Sequence, residues 1–331
     1  MHTTDGNLTE SDLRSKFLQQ FKKDVSDGLN SDPKTLPSKY FYDETGDDLF
    51  VQIMNMPEYY LTRCEMEIFT EQTEHLINEF DLNTDEPFEL IELGAGDGSK
   101  TIKLLQRLLE RGHNFHYNPV DISANALQGL EDMLAEKLPE LKVKKQRGDY
   151  FGVLSSFKGD TTKKVVLFLG SNIGNMRDEK ASDFIYRLGA NLNPGDILLM
   201  GVDLIKPTEI VLPAYNDSNG ITAKFNLNLL KRINRELGAN FDLDNWSHAP
   251  TYSEETGIAK SFLRSDVDQE VYVEGIGQDF FFEEGELIHT EISRKYNDEI
   301  LKDIISDTNF YYKSKIQDSR KFFADYILIR K

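Results

Sequence analysis

The chain has 331 residues, 39% hydrophobic and 29% charged, a composition that fits a soluble globular protein able to bury a large core in about two domains. Its 38 Lys and Arg against 57 Asp and Glu leave a formal charge of −19, and no basic stripe is interleaved with aromatics. This argues against a nucleic-acid substrate and for a small ligand. No run of about 18 apolar residues and no apolar signal core is visible, so neither a membrane span nor secretion is expected. The single cysteine, Cys64, fits a reducing, cytoplasmic setting.

In chain order, residues 1–9 read as a polar tail. An amphipathic helix follows, with Leu13, Phe17, Phe21 and Val25 at helical spacing. The next stretch is rich in rings: Tyr40, Phe41, Tyr42, Phe50, Tyr59 and Tyr60. Most of these should pack a small helical subdomain, although a buried tyrosine hydroxyl needs a partner and is readily given a hydrogen-bonding duty. A helix is expected over about 62–80, with Cys64 as a packing residue near its start. Five strand candidates come next: FELIELGAG, FHYNPVDI, LKVKKQRGD, KKVVLFLGS and GDILLMGVDL. Helical stretches at 100–111, 122–138 and 177–192 alternate with them. Such alternation predicts an α/β, Rossmann-like parallel sheet with helices on both faces, joined by right-handed crossovers. Ligands in these sheets bind at the carboxyl ends of the strands.

The residues at those ends are distinctive. After the first strand, in IELGAGDGSK, Gly94, Gly96 and Gly98 permit tight turning and close backbone approach before a helix N-terminus. Glu92 precedes the first glycine, unlike the dinucleotide fingerprint, whose acid comes later, and is expected among the cofactor-binding residues. The loop looks like that of S-adenosylmethionine (SAM)-dependent methyltransferases; another nucleotide site or a tight structural turn are the alternatives. Asp121 lies 23 residues beyond Gly98, where a carboxylate can accept from both hydroxyls of a ribose. Asp149 and Tyr150 follow the third strand, an acid beside a ring that suits an adenine. Either Asp121 or Asp149 alone would also read as a helix N-cap. GSNIGN, residues 170–175, follows the fourth strand, where substrate should meet cofactor.

Beyond about residue 204 the alternation stops. A helix is expected over 221–237 and strands near 258–265, 270–275, 279–283 and 286–294. A final helix (297–307) and two strands (309–316 and 322–330) should close the sheet with an antiparallel edge. The division that follows is a SAM-binding domain of 64–203 plus 296–331, and an α+β substrate domain of 10–63 plus 204–295.

The blocks PSKYFYDETGDDLF, MPEYYLTR, IELGAGDGSKT, FLGSNIGN, AYNDSNGITAKFN, NRELGANFDLD and TEISRKY together resemble the histidine-specific SAM-dependent methyltransferases. That family includes the L-histidine Nα-methyltransferase of ergothioneine biosynthesis, which makes trimethylhistidine (hercynine). The resemblance runs from about residue 15 to the C-terminus. It implies SAM as cofactor, S-adenosyl-L-homocysteine as product, and no metal. It places Gly94 and its loop, Lys100, Asp121, Asp149 and Tyr150 on the cofactor. Asn175 and Tyr215 would hold the substrate carboxylate, Tyr59 would line the pocket, and Tyr42 would lie close to the reacting amine. Glu291 and Ser293 match the pair that recognises the imidazole. Near Ser261 the family's histidine enzymes place a methionine, so pocket shape differs there.

The expected protein is a monomer that methylates the α-amine of free L-histidine up to three times, with no membrane or nucleic-acid partner. His113 and His116 have a metal-like spacing but no further ligand nearby, and are read as structural. His289 should share a strand face with Glu291. Two alternatives remain: an enzyme of the same fold acting on another amino acid or small amine, and a SAM-binding protein without activity.

Overall fold

The computed structural model describes residues 10–331; the polar segment 1–9 lies outside the described residues. The chain opens with helices α1 (Glu10–Leu29), α2 (Glu44–Met54), α3 (Leu61–Glu71) and α4 (Thr73–Phe80). Strand β1 (Phe88–Leu93), α5 (Thr101–Glu110), β2 (Phe115–Asp121) and α6 (Ala124–Lys137) follow. Next come β3 (Lys142–Val143), β4 (Gln146–Arg147), α7 (Tyr150–Ser156), β5 (Lys163–Phe168), α8 (Asp178–Gly189) and β6 (Ile197–Asp203). Helices α9 (Thr208–Val211) and α10 (Ile221–Leu237) lead to β7 (Trp246–His248), β8 (Thr251–Ser253) and β9 (Ile258–Ser265). The chain ends with β10 (Gln269–Val273), β11 (Gln278–Phe282), β12 (Leu287–Arg294), α11 (Asp298–Ile305), β13 (Phe310–Gln317) and β14 (Phe323–Arg330).

These elements form two compact units. Of the described residues, one comprises 60–207, 254–258 and 293–331; the other comprises 10–59, 208–253 and 259–292. The first carries an eight-stranded sheet of order β13-β14-β6-β5-β1-β2-β3, with β4 also on β2. β1 pairs in parallel with β2 and β5, and β5 with β6. β14 runs antiparallel to both β6 and β13. β1 and β6 are buried along their whole length, as strands covered on both faces must be, and so read as near-continuous apolar runs. Residues 60–63, 204–207 and 293–295 belong to this unit because Tyr60, Lys206 and Lys295 converge on Asp203 at the end of β6.

Two elements differ from their sequence reading. The helix expected over 62–80 breaks at Gln72, whose side chain donates to the carbonyl of Gln317 at 2.6 Å and leaves helical geometry. LKVKKQRGD makes two short strands, both on β2, because its alternate lysines leave little apolar surface to bury.

The other unit packs α10 among rings. Phe225 lies 4.8 Å from Phe41 and 5.6 Å from Tyr42, centroid to centroid. Trp246 sits edge-on to both Phe241 and Phe282, its centroid 4.9 Å from that of Phe282, and Phe241 and Phe282 are tilted to each other. Around them sit the β12-β9-β7 sheet, with β8 on β9, and the β10-β11 hairpin. Asp217 starts α10 by accepting from the backbone N–H of Ile221 (2.9 Å) and of Thr222 (2.8 Å). These bonds hold its carboxyl below the usual range despite partial burial.

Candidate active site

The glycine loop is built on β1. Backbone N–H groups of Gly94 and Ala95 both donate to the carbonyl of Val120 on β2, at 2.8 and 3.3 Å. Gly94, Gly96 and Gly98 all have positive φ (73°, 55° and 65°), which a side chain would strain. A Cβ on Gly94 would also stand 2.8 Å from the Tyr150 hydroxyl, whereas one on Gly96 would meet nothing within 4 Å. The turn therefore has a ring set against its first glycine and an open second glycine. Glu92 does not face outward from it. Its carboxylate is buried, accepting from the hydroxyl of Thr101 at 2.6 Å and from that of Tyr117. Burial pushes its carboxyl up to about 7, against the lowering effect of those two hydroxyls. Glu92 thus supports the loop from beneath by tying β1 to the first residue of α5 and to β2.

Lys100 stands at the N-terminus of α5 and pairs with the buried Glu65 of α3. Burial opposes its charge, but the Glu65 carboxylate outweighs that and raises its pKa. Glu65 also accepts from the backbone N–H of Gly170, at 2.8 and 3.1 Å. A Cβ at Gly201 would collide with Glu65 Oε1 and lie 3.0 Å from Oδ1 of the fully buried Asp325. Burial first, and then the neighbouring Glu65 charge, push the Asp325 carboxyl well above its usual range. One lysine and one carboxylate thus carry the charge that joins the glycine loop to the GSNIGN loop.

The next two strand ends are more open. Asp121, half-buried at the end of β2, accepts from the N–H of Ser123 at 2.8 Å, and Ser123 in turn caps α6. Exposed Asp149 caps α7 through the N–H of Gly152 at 2.9 Å. Tyr150 packs edge-on against Phe168 and Phe184, and burial together with the Asp121 charge raises its pKa. In GSNIGN, Ser171 accepts from the N–H of Asp203 at 3.0 Å. A Cβ on Gly174 would meet the carbonyl of Arg294 at 2.8 Å, so only glycine lets this turn lie against the end of β12. Asn175, the last residue of the turn, is exposed.

Within the other unit, Tyr42 is 41% exposed and sits edge-on to Phe50 and Phe225. Its phenol is crowded: burial, followed by the charges of Glu291 and Asp47 and by Tyr215, raises its pKa, so it is neutral at ordinary pH. The same influences put Glu291 and Tyr215 each within electrostatic reach of Tyr42. The backbone of Tyr42 is clamped by α10. Buried Arg232 donates to the carbonyls of Tyr40 (3.1 Å) and Tyr42 (3.2 Å), while Asn228 and Arg235 each reach Asp43 at 2.7 Å. Tyr59 is half-buried and edge-on to Phe50. The carbonyl of Tyr215 is 2.8 Å from Nε2 of His248, whose pKa burial lowers. Glu291 lines an open groove of about 320 Å³ with Thr35, Pro37, Lys39 and His289. Ser261 is buried, and its carbonyl accepts from Thr290 at 3.0 Å.

The profile of the family described as "Histidine-specific methyltransferase, SAM-dependent" matches residues 21–330. The chain belongs to this family. It is 35% identical over 281 residues to a protein of Mycolicibacterium smegmatis named histidine N-alpha-methyltransferase, covering 85% of this chain and 86% of that one. The protein of the same name from Mycobacterium tuberculosis is 35% identical over 275 residues, or 83% and 84% of the two chains. Ergothioneine biosynthesis protein 1 of Schizosaccharomyces pombe is 31% identical over 302 residues, 89% of this chain and 39% of that longer protein.

In this methyltransferase, several groups that shape the site carried no sequence signal. Glu65 and Asp325 come from α3 and β14, far from the glycine loop in sequence, and Arg232 and His248 act on the backbone of other residues. A lone acid in a helix and a lone basic residue on an amphipathic face look the same whether they are solvated or structural. The paired-histidine spacing resolves into separate packing: His113 is buried edge-on to Phe88, and His116 meets Glu89 at 3.0 Å. Among the described residues no group of three or more His, Cys, Asp or Glu could hold a metal ion. Cys64 is buried beside Arg320, its thiol pushed up to about 12 chiefly by burial, so it is a packing residue.

Proposed function

We propose that this protein methylates the α-amino group of free L-histidine, up to three times, with SAM as the methyl donor. The observation that carries the reading is the family match along nearly the whole chain together with the grouping of Tyr42, Tyr215 and Glu291. The glycine turn fits the donor: Gly96 is open, Gly94 has no room for a Cβ, and Asp121 stands half-buried at the next strand end. Gly94, Gly96, Lys100, Asp121, Asp149 and Tyr150 would hold SAM, with Glu92 fixing the loop under them. When bound, SAM supplies an electrophilic methyl group on a sulfonium.

The protein's task is then mostly positioning. Holding an amine lone pair in line can lower a barrier by roughly 7–11 kcal/mol. Asn175 and Tyr215 suit a carboxylate, since an amide and a phenol both donate. Glu291 suits an imidazole N–H, with Ser293 as its companion and Tyr59 as a wall. Tyr42, a neutral phenol, accepts an N–H of the amine through its phenolic oxygen and orients the lone pair. Each of the first two methylations needs the amine to lose a proton before it can attack again; the third leaves a quaternary nitrogen with no proton to lose. The protein is read as a monomer, in the cytoplasm and without a metal.

A second reading starts from Ser261: it is buried, its carbonyl accepting from Thr290, and it stands where the resemblance leads one to expect a methionine, so the pocket would take a different amino acid. Incubating the protein and SAM with a panel of free amino acids, and measuring mass gains in methyl units, decides between them. Products from histidine alone support the first reading. Products from another amine but none from histidine overturn it.

A further inference from the structure

Behind Ser293 lies a group of buried charges that the reading above does not use. Asp203, at the end of β6, is fully buried, and its Oδ2 meets Nζ of the fully buried Lys295 at 2.8 Å. Its Oδ1 meets Lys206, and Tyr60 donates to Oδ2 at 2.9 Å. Lys206 in turn donates to the Tyr60 hydroxyl at 3.0 Å and to the carbonyl of Leu204. Burial lowers the Lys206 pKa, and the Lys295 charge adds to that, while Asp203 opposes both. Cys64 on α3 also faces Lys206, and Glu291 and Arg294 flank Ser293 on β12. Lys295 also reaches out of this group: its Nζ donates to Oγ of Ser293 at 2.9 Å.

That contact has a direction. An ammonium has three hydrogens and no lone pair, so the serine oxygen must be the acceptor. The hydroxyl's own hydrogen is then turned away from Lys295, and Ser293 meets another group as a donor. We propose that Lys295, braced by Asp203, is a positioning residue that locks Ser293 as a donor and so makes the enzyme select neutral imidazole over imidazolium. The inference rests on the reading of Ser293 as a contact of the histidine ring. A neutral ring has one N–H for Glu291 and one bare nitrogen for Ser293. An imidazolium has two N–H groups and nothing to accept, so the Ser293 donor repels it. Without Lys295, the hydroxyl can turn and accept from either form.

The test is the KM for L-histidine at saturating SAM from about pH 5.5 to 8, a range that spans the ordinary histidine pKa of about 6.5. In the wild type, KM rises towards tenfold per unit below that pKa. With the triazole analogue of histidine, whose ring stays neutral in this range, the extra rise is absent; the α-amine is common to both and cancels in the ratio. In Lys295→Met the histidine slope flattens, while KM at pH 8 rises a few-fold. This variant leaves Asp203 with Lys206 and Tyr60, one carboxylate to one ammonium, and a thermal melt checks that it folds. A folded Lys295→Met with the wild-type slope overturns the proposal, since a merely structural lysine would not move it. Equal pH slopes for histidine and triazole in the wild type overturn it without any variant. Failure of the underlying reading looks different: Ser293→Ala would then leave the histidine KM unchanged at every pH, or histidine would not be turned over at all.

Discussion

The two units are held together by different materials. The unit with the glycine loop buries charge: Glu65, Glu92, Asp203, Lys206, Lys295 and Asp325 all lie inside it. The other unit buries rings around α10, and its fully enclosed polar groups are mostly neutral, such as Asn226, Asn228, Ser261 and Thr290. Buried charges hold loops at fixed backbone points, because each must find a partner or lose its charge. Rings shape walls, and they leave recognition to the few polar atoms that project from them. On the proposed function, the first material would suit a constant, charged cofactor and the second a substrate that must be told from its relatives.

If that contrast is correct, substitutions should separate the two ligands. Tyr42→Phe, on the ring-lined side, should lower kcat by roughly 10²–10⁴ while SAM affinity is unchanged; a kcat within a few-fold of wild type would remove Tyr42 from the chemistry. The charged core should show itself in stability. The Glu92 carboxyl is raised from 4.5 to about 7 in the folded protein, so its contribution is complete below about pH 4.5 and is lost as pH rises to about 7. At 1.36 kcal/mol per unit, wild type should lose about 3 kcal/mol relative to Glu92→Gln across that window, read by denaturant unfolding. Phe225→Leu, a change among the rings, should destabilise without any such slope.

Glu291→Ala should raise the KM for histidine by about 10²-fold, the value of a hydrogen bond to a charged group, with SAM binding within twofold. Equal losses for both ligands would make the residue structural. Asp121→Ala should do the reverse at a smaller scale, weakening SAM by about tenfold in a calorimetric titration. Unchanged SAM affinity would reject the ribose assignment.

Several features followed from local sequence alone. Largely apolar runs mark β1, β5 and β6, because strands buried on both faces need no polar alternation. Helix α10 was readable to the residue, since Gly220 and Gly238, both with positive φ, punctuate its ends. The glycine turn and the acids at the strand ends could be found because spacing along one chain is enough to place them. The family blocks added Asn175, Tyr215, Glu291 and Ser293, which no periodicity singles out.

Only the tertiary structure decided what those residues are tied to. That Glu92 faces inward to Thr101 and Tyr117, that Glu65 joins Lys100 to Gly170, and that Arg232 clamps Tyr42 are contacts between different elements, the last two across long stretches of chain. The physical reason is that a side chain's rotamer and charge state depend on its neighbours in space, and burial makes that dependence strong. The glycine loop, local in its making, was legible from the start; the charges that hold it still were not.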